Sequence, residues 1–487
     1  MKLGKHIFGV GLMTGISRVF GFIRDMLIAR VMGAGHLSDI FLAAFKLPNL
    51  FRDLLGEGAL SAVFIPMFAS QHKDKNFAQN VFAWLMVILL GITILFEILM
   101  PVVVWMLAPG FADAAGKMEL TVIISRIMFV YVIFICGSAF LSAILNAFSR
   151  FALVAFMPVL LNVMLIFALL GSALWAPDYV LYIMAFTVVA SGIIQFAILW
   201  SRVRQHNFGL RLVRPRMTPA IKRIFGRMGI SIIGNGFYQI TIIIGTLVAS
   251  FQSGAVSWLY YSDRIIQLPF AIIGLAVGTV LISSISNALA ENNMSDVYDQ
   301  QNSSLGRGMI LLIPCVVGLV VLAEPIIRSL FEYGAWTPES TRAVATAITI
   351  QAFVLPAMLI SQIYSKTLYA IQDVKTPVQT SMMSLAIASV IYVIGFPFVG
   401  YLAVPVGVVV SGYMKNYMLG RACRRRGLIK LDGRTIRVIL ACWVWAIALG
   451  VGMWQLEINS IIALAITICG YGILYLPMAY IIDKKMR

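Results

Sequence analysis

The stretch HIFGVGLMTGISRVFGFIRDMLIARVM (residues 6–32) decides how the rest of the chain is read. It is long enough to cross a bilayer, which takes about 20 mostly apolar residues. It lacks a small-residue cleavage site and outruns the ~7–15-residue apolar core of a signal peptide, so it reads as a retained membrane helix. Yet Ser17, Arg18, Gly21, Arg24 and Asp25 follow the three- and four-residue spacing that aligns side chains on one helical face. A polar stripe on an otherwise apolar helix reverses the pattern of a soluble amphipathic helix. The stripe must face protein or a water-filled cavity, and Gly21 leaves room there for a neighbour or a ligand.

Working outward, 61% of the 487 residues are hydrophobic and 12% are charged. Soluble proteins run at about 45–50% apolar and about 25% charged, so too few polar side chains exist to cover a soluble surface. A cytosolic enzyme, a disordered regulator and a secreted disulfide scaffold are excluded together. The five cysteines, Cys136, Cys315, Cys423, Cys442 and Cys469, show no paired spacing and read as small buried hydrophobes.

Fourteen segments satisfy the membrane-helix ruler: 6–32, 37–69, 79–108, 119–147, 152–174, 179–201, 222–250, 255–289, 306–331, 341–370, 376–398, 401–420, 436–455 and 459–482. Turn residues such as Gly33-Ala34-Gly35, Ala108-Pro109-Gly110 and Ala176-Pro177-Asp178 mark the joins, and the short alternating segments of a β-barrel do not occur. With the N-terminus inside, 25 Lys and Arg residues fall in loops and tails on the cytoplasmic side, against Lys117 and Arg342 on the other. Cytoplasmic loops carry such an excess, so both termini are expected in the cytoplasm. Most of the net charge of +17 is thus orientation and surface charge, available to anionic lipid. Nucleic acid is not expected as a partner.

Phe45-Lys46-Leu47-Pro48 returns in outline as Ile266-Gln267-Leu268-Pro269, and Leu145-Asn146-Ala147-Phe148 as Leu368-Tyr369-Ala370-Ile371, at offsets of 221 and 223. Nearly equal offsets argue for duplication. The shift carries helix 1 to helix 7, an even number, so the halves share one orientation and flank a central site. The expected fold is an all-α polytopic membrane protein with fourteen helices: two six-helix lobes in parallel pseudo-repeat, plus two further C-terminal helices. Its parts are residues 1–201 (N-lobe), 202–221 (basic linker), 222–420 (C-lobe), 421–435 (basic loop) and 436–487 (helices 13 and 14 with the tail).

Ten basic residues remain inside helices: Arg18, Arg24, Arg30, Lys46, Arg52, Arg126, Arg264, Arg328, Lys366 and Lys415. A charge at mid-bilayer costs at least ~2.5–3.5 kcal/mol. Arg30, Arg126, Arg328 and Lys415 lie near helix ends and can snorkel to the surface. In helix 2, Asp39, Lys46 and Asp53 stand seven apart, with Glu57 one turn on. Pro48, Gly56 and Gly58 make that segment one to bend or break. Asp263-Arg264 and Lys366 add charges in helices 8 and 10. Carboxylates could simply neutralise the bases in a packed bundle, but several buried pairs are a poor way to stabilise a fold. Arginine's planar fork instead grips phosphate, and walls bearing Arg18, Arg24, Arg52 and Arg264 suit a ligand with phosphate or several carboxylates.

At these residues the chain resembles a known family. Ser17-Arg18-Val19-Phe20-Gly21-Phe22-Ile23-Arg24-Asp25, Phe45-Lys46-Leu47-Pro48-Asn49-Leu50-Phe51-Arg52 and the run from Gly56-Glu57-Gly58 to Pro66 are similar to signatures of the MurJ/MviN family. So are the run from Val256 to Asp263-Arg264, and Gln372-Asp373-Val374-Lys375-Thr376-Pro377. The family belongs to the multidrug/oligosaccharidyl-lipid/polysaccharide exporter superfamily. The resemblance implies a flippase that carries lipid II, an undecaprenyl-pyrophosphate-linked disaccharide-pentapeptide, across the bacterial inner membrane for peptidoglycan synthesis. It implies that Arg18, Arg24, Arg52 and Arg264 contact the pyrophosphate in a central cavity. Ser17, Asp25, Asp39, Lys46, Glu57, Asp263 and Lys366 become cavity or gate positions, and helices 13 and 14 a groove for the lipid tail.

Two departures stand out: Gln267 where an acid is expected, and Gln362 where the family often carries lysine, with Lys366 one turn later. No catalytic residue, metal or cofactor is implied; sodium, protons or the membrane potential are the candidate drivers. Lipid II and the bilayer are the expected partners of a monomer, with the cell-wall synthesis machinery beside them. The nearest alternative is another exporter of the superfamily, which should have a less basic cavity. An enzyme acting on lipid carriers fits less well, because the four histidines are scattered and no phosphate-binding loop or carboxylate cluster occurs.

Overall fold

The computed structural model describes residues 2–54, 60–71, 73–206, 208–291, 293–456 and 460–485, and among these there are helices and no strands. The chain divides into two compact units, residues 1–254 and 255–487. The first holds α1 (Lys2–Met32), α2 (His36–Phe51), α3 (Ser61–Ser70), α4 (Lys75–Leu107), α5 (Lys117–Phe129), α6 (Tyr131–Ala147), α7 (Phe151–Trp175), α8 (Val180–Gln205) and α9 (Pro219–Ala249). The second holds α10 (Ala255–Ala290), α11 (Met294–Phe331), α12 (Pro338–Gln351), α13 (Val354–Ala370), α14 (Lys375–Val399), α15 (Ala403–Arg425), α16 (Gly433–Trp454) and α17 (Ile461–Lys485).

Helix starts follow from local chemistry. Asp74 accepts from the amides of Asn76 and Phe77 to begin α4, and Thr218, Asn293, Thr337 and Asp432 cap α9, α11, α12 and α16 in the same way. Pro219 and Pro338 occupy first-turn positions, where a missing N–H costs nothing. Pro48 lies inside α2, and the chain continues in wide π-helical geometry over residues 52–54. Proline removes one ladder donor and crowds the preceding turn, and such bulges occur frequently at functional sites. Arg52 and Asp53 therefore sit on distorted backbone.

Each apolar segment read from the sequence is helical over its described core. The exceptions are terminal residues, Val130 between α5 and α6, and residues 352–353 between α12 and α13. By length and apolar composition alone, eight helical stretches of the described residues qualify as membrane spans. The number is nine if α12 and α13, bent by 41° at their break, count as one. One of the eight, Lys375–Arg425, runs for 51 residues. At about 1.5 Å per residue that far exceeds a ~30 Å hydrocarbon core. The turn at Gly400 (φ +57°) folds α15 back along α14, where Gly407 lets the Tyr392 ring lie so close that a Cβ would meet it at 2.5 Å.

Several features recur at the offset that relates the sequence motifs. Ser149 and Gln372, 223 positions apart, take left-handed conformations (φ +60° and +62°) after α6 and α13. Their turns close identically: Arg150 N–H donates to the Leu145 carbonyl and Asp373 N–H to the Leu368 carbonyl, both at 2.9 Å. The helices that follow, α7 and α14, are each 25 residues long.

Within the first unit α1 packs on α7, α6 and α7 on α8, α2 and α4 on α5, and α9 against α3 and α4. Within the second, α11 contacts α10, α12, α13, α16 and α17. Large apolar side chains stay exposed on the outward faces, among them Ile98, Phe167, Leu174, Val444, Ile466 and Ile473. Such a surface belongs in lipid rather than water.

Both long basic segments are tied down. Asn80 exchanges two hydrogen bonds of 2.8 Å with the Arg216 backbone, and Phe208 packs edge-on to Phe68. In the second unit, Tyr298, Gln301 and Asn302 of α11 donate to the carbonyls of Gly427, Leu428 and Lys430. Arg426 reaches across to Asp373, whose carboxylate also accepts from the Thr376 hydroxyl (2.6 Å) and amide (3.0 Å). Burial pushes the Asp373 carboxyl up, but the Thr376 bonds and Arg426 outweigh it and leave its pKa at about 2, below the ordinary 3.8. A depressed carboxylate contributes stability that is complete above the unfolded value and fades as pH falls through the folded one. Comparing detergent-solubilised wild type with Asp373→Asn, we expect their thermal stabilities to differ at pH 6 and to converge between pH ~4 and ~2.

Candidate functional site

The polar stripe of α1 is built around one guanidinium. Arg24 donates through Nε and Nη2 to Asp25 Oδ1 (3.1 and 2.6 Å) and through Nη1 to Asn162 Oδ1 of α7 (2.9 Å). Asn162 Nδ2 in turn donates to the Ser17 carbonyl at 3.2 Å. Arg24 is 6% exposed and Asp25 2%, so the pair meets the rule that buried charges are paired and hydrogen-bonded. Ser17 is half-buried and Arg18, on the same helix, is exposed.

The polar edge of α2 meets α9. Lys46 donates to the Thr246 hydroxyl, and Gln239 Nε2 donates to Asp53 Oδ2 at 3.1 Å. Asp53 Oδ1 also holds Arg52 Nη2 at 3.0 Å. All three charged side chains are half-buried. Glu57 lies outside the described residues.

A third cluster surrounds Asp39, which is fully buried. Its Oδ2 accepts from Lys117 Nζ at 2.8 Å and from the Gly254 amide at 2.9 Å. Lys117 is 3% exposed and stands 4.0 Å from the centre of the Phe111 ring. Nearby, Gly110 N–H donates to Ser250 Oγ at 3.0 Å, and a Cβ on Gly110 would meet the Phe251 backbone at 2.5 Å, so only glycine permits this approach. Burial and then the charge of Lys117 hold the His36 imidazole below its ordinary value, against the opposing pull of Asp39.

In the second unit, Arg264 Nη2 and Nε donate to the Tyr260 hydroxyl (2.9 and 3.2 Å), with the guanidinium 5.0 Å from that ring's centre. Asp263 Oδ1 accepts from Gln351 Nε2 at 2.6 Å, at the end of α12. Lys366 is half-buried on α13, one turn past Gln362, while Gln267 is exposed.

Ser17, Arg24 and Asp25 are thus linked through α1 and Asn162, and Arg52 pairs with Asp53, while Lys46 meets α9 at Thr246 and Asp39 joins a separate cluster. The neutral partners Asn162, Gln239, Thr246, Gln351 and Tyr260 were not anticipated. Neither was Lys117, counted from sequence as a loop charge on the outer face. Asn162 did leave a signal: it is the one amide in the apolar run of α7. An open groove of about 540 Å³ lined by Leu153, Ala197, Ile198, Ser201, Arg202 and Gln205 shares no side chain with these clusters. Among the described residues, no three His, Cys, Asp or Glu side chains converge as a metal site would require.

Long apolar helices with lipid-facing surfaces, and ion pairs held between them, define a polytopic α-helical membrane protein. The chain belongs to the lipid II flippase MurJ family, whose sequence pattern matches residues 28–469. It is 35% identical over 488 residues to the probable lipid II flippase MurJ of Rhizobium meliloti, covering 96% of this chain and 91% of that one. Its fold is similar to that of a lipid II flippase MurJ in an inward closed conformation. That likeness has a TM-score of 0.84 at 20% identity, over 98% of this chain and 99% of the other. An inward-facing multidrug resistance transporter of the MATE family and MOP superfamily shares the fold more distantly. There the TM-score is 0.67 at 12% identity, over 84% of this chain and 94% of that one.

Proposed function

We propose that this chain carries lipid II from the cytoplasmic to the periplasmic leaflet of the bacterial inner membrane by alternating access. Fourteen crossings, both termini cytoplasmic, form two six-helix lobes and an extra C-terminal pair along which the polyprenyl tail stays in lipid. Arg18, Arg24, Arg52 and Arg264 receive the pyrophosphate in a central cavity of a monomer. The recurring turns at Ser149 and Gln372 support the lobe reading, and the cytoplasmic excess of basic residues supports the orientation.

The observation that carries the proposal is the buried Arg24, kept on an apolar helix with its guanidinium in a set orientation. Ionisable residues in membrane helices are expensive and mark substrate pathways. An ionised phosphate moved bare through hydrocarbon would cost tens of kcal/mol; a polar route lined with arginines removes most of that barrier. No bond is made or broken. Energy is needed only to bias the cycle, from the membrane potential or from a sodium or proton gradient.

The test is transport of lipid II by purified protein in liposomes. A hydrogen bond to a charged group is worth about 1.5–3 kcal/mol, and 1.4 kcal/mol is a factor of ten. Arg264→Ala should therefore slow transport by about 10- to 100-fold while inserting normally. Wild-type transport rates from Arg264→Ala, Arg52→Ala and Arg18→Ala together would overturn the phosphate-binding reading.

A further inference from the structure

We infer that Asn162 is a positioning residue for Arg24, aiming the guanidinium at the substrate's pyrophosphate without cancelling its charge; this rests on the role proposed for Arg24. Asn162 is 6% exposed, on a helix whose remaining residues in that turn are apolar. Both ends of its amide are used on α1. Oδ1 takes Arg24 Nη1 at 2.9 Å, and Nδ2 gives to the Ser17 carbonyl at 3.2 Å. Ser17 and Arg24 are seven residues apart, two helical turns, and Gly21 lies between them. A Cβ on Gly21 would stand 3.4 Å from Nδ2, at ordinary contact distance, so the amide lies directly against the α1 backbone at 21.

Charge explains why an amide suits this place. Asp25 already engages the Nε–Nη2 edge of the guanidinium with one full negative charge. A second carboxylate would add negative charge beside an anionic ligand and repel it. Asparagine can accept from Nη1 and still carry no charge. It restricts the arginine's rotation, so the entropy of ordering that long side chain is spent in folding rather than in binding.

A merely structural tie between α1 and α7 predicts something different, because the Ser17 bond would then matter whether or not Arg24 is present. The experiment is lipid II binding to purified wild type, Asn162→Ala, Asn162→Asp, Arg24→Ala and the Arg24→Ala/Asn162→Ala pair, with melting followed in parallel. We expect Asn162→Ala to weaken binding about tenfold, from the loss of one hydrogen bond to a charged group. The double variant should bind no more weakly than Arg24→Ala alone, and Asn162→Asp should bind more weakly than Asn162→Ala. Asn162→Gln keeps both polar atoms and should recover part of the affinity; it replaces the alanine variant in the cycle should that one not insert.

Wild-type affinity in Asn162→Ala, or losses that multiply in the double variant, would overturn the inference while leaving the role of Arg24 intact. Wild-type affinity in Arg24→Ala would remove the phosphate role itself.

Discussion

Arg24→Ala as the sole copy should abolish growth and reduce lipid II transport by at least about 100-fold, since it removes up to three charge-assisted donors at once. The substitution also takes the guanidinium from Asp25, buried at 2% exposure, and breaking a buried pair by deleting one partner costs about 3–5 kcal/mol. Loss of transport by Arg24→Ala alone would therefore be ambiguous. Arg24→Ala/Asp25→Asn separates the two effects, because it leaves no unpaired charge. We expect the double variant to insert and melt near wild type yet remain inactive. Restored transport in that protein would mean that Arg24 serves folding only.

The second large effect is on stability. Lys117→Met takes the ammonium from the Asp39 carboxylate, which is at 0% exposure, and should cost about 3–5 kcal/mol. Asp39→Asn/Lys117→Met should recover most of this. Its amide oxygen still accepts from Gly254, and methionine still packs on Phe111. Replacing a whole buried ion pair by neutral groups is often neutral or stabilising. Unfolding in mixed micelles, followed for both variants, gives the measurement. An unchanged midpoint in Lys117→Met would show that the pair contributes nothing.

The apolar segments were legible because a membrane helix announces itself by length and hydrophobicity alone, and the joins at Gly33-Ala34-Gly35, Ala108-Pro109-Gly110 and Ala176-Pro177-Asp178 by local turn chemistry. The stripe on α1 was legible for the complementary reason that charge in such a segment is costly and hence conspicuous. Its partners were not. Asn162 lies 138 residues from Arg24, and Gly254 lies 215 from Asp39. No periodicity within one helix links positions that far apart. Lys117 was misleading because a lysine at a helix start looks like surface charge. Only the packing of α5 against α2 reveals it beneath Phe111.

What the sequence determined by itself was the solvent of the fold, the run of helices, and the positions where charge enters hydrocarbon. These depend on composition and on spacing within about 20 residues, the length of one bilayer crossing. The tertiary structure decided which charge answers which. Arg24 received a carboxylate and a neutral amide, Asp39 a lysine and a backbone N–H, and Arg264 a phenol. For Arg24 with Asn162, and for Asp39 with Lys117 and Gly254, pairing is set by contacts of about 3 Å between segments that meet only when the chain has folded, whereas Asp25 and Tyr260 lie on the same helices as the arginines they meet.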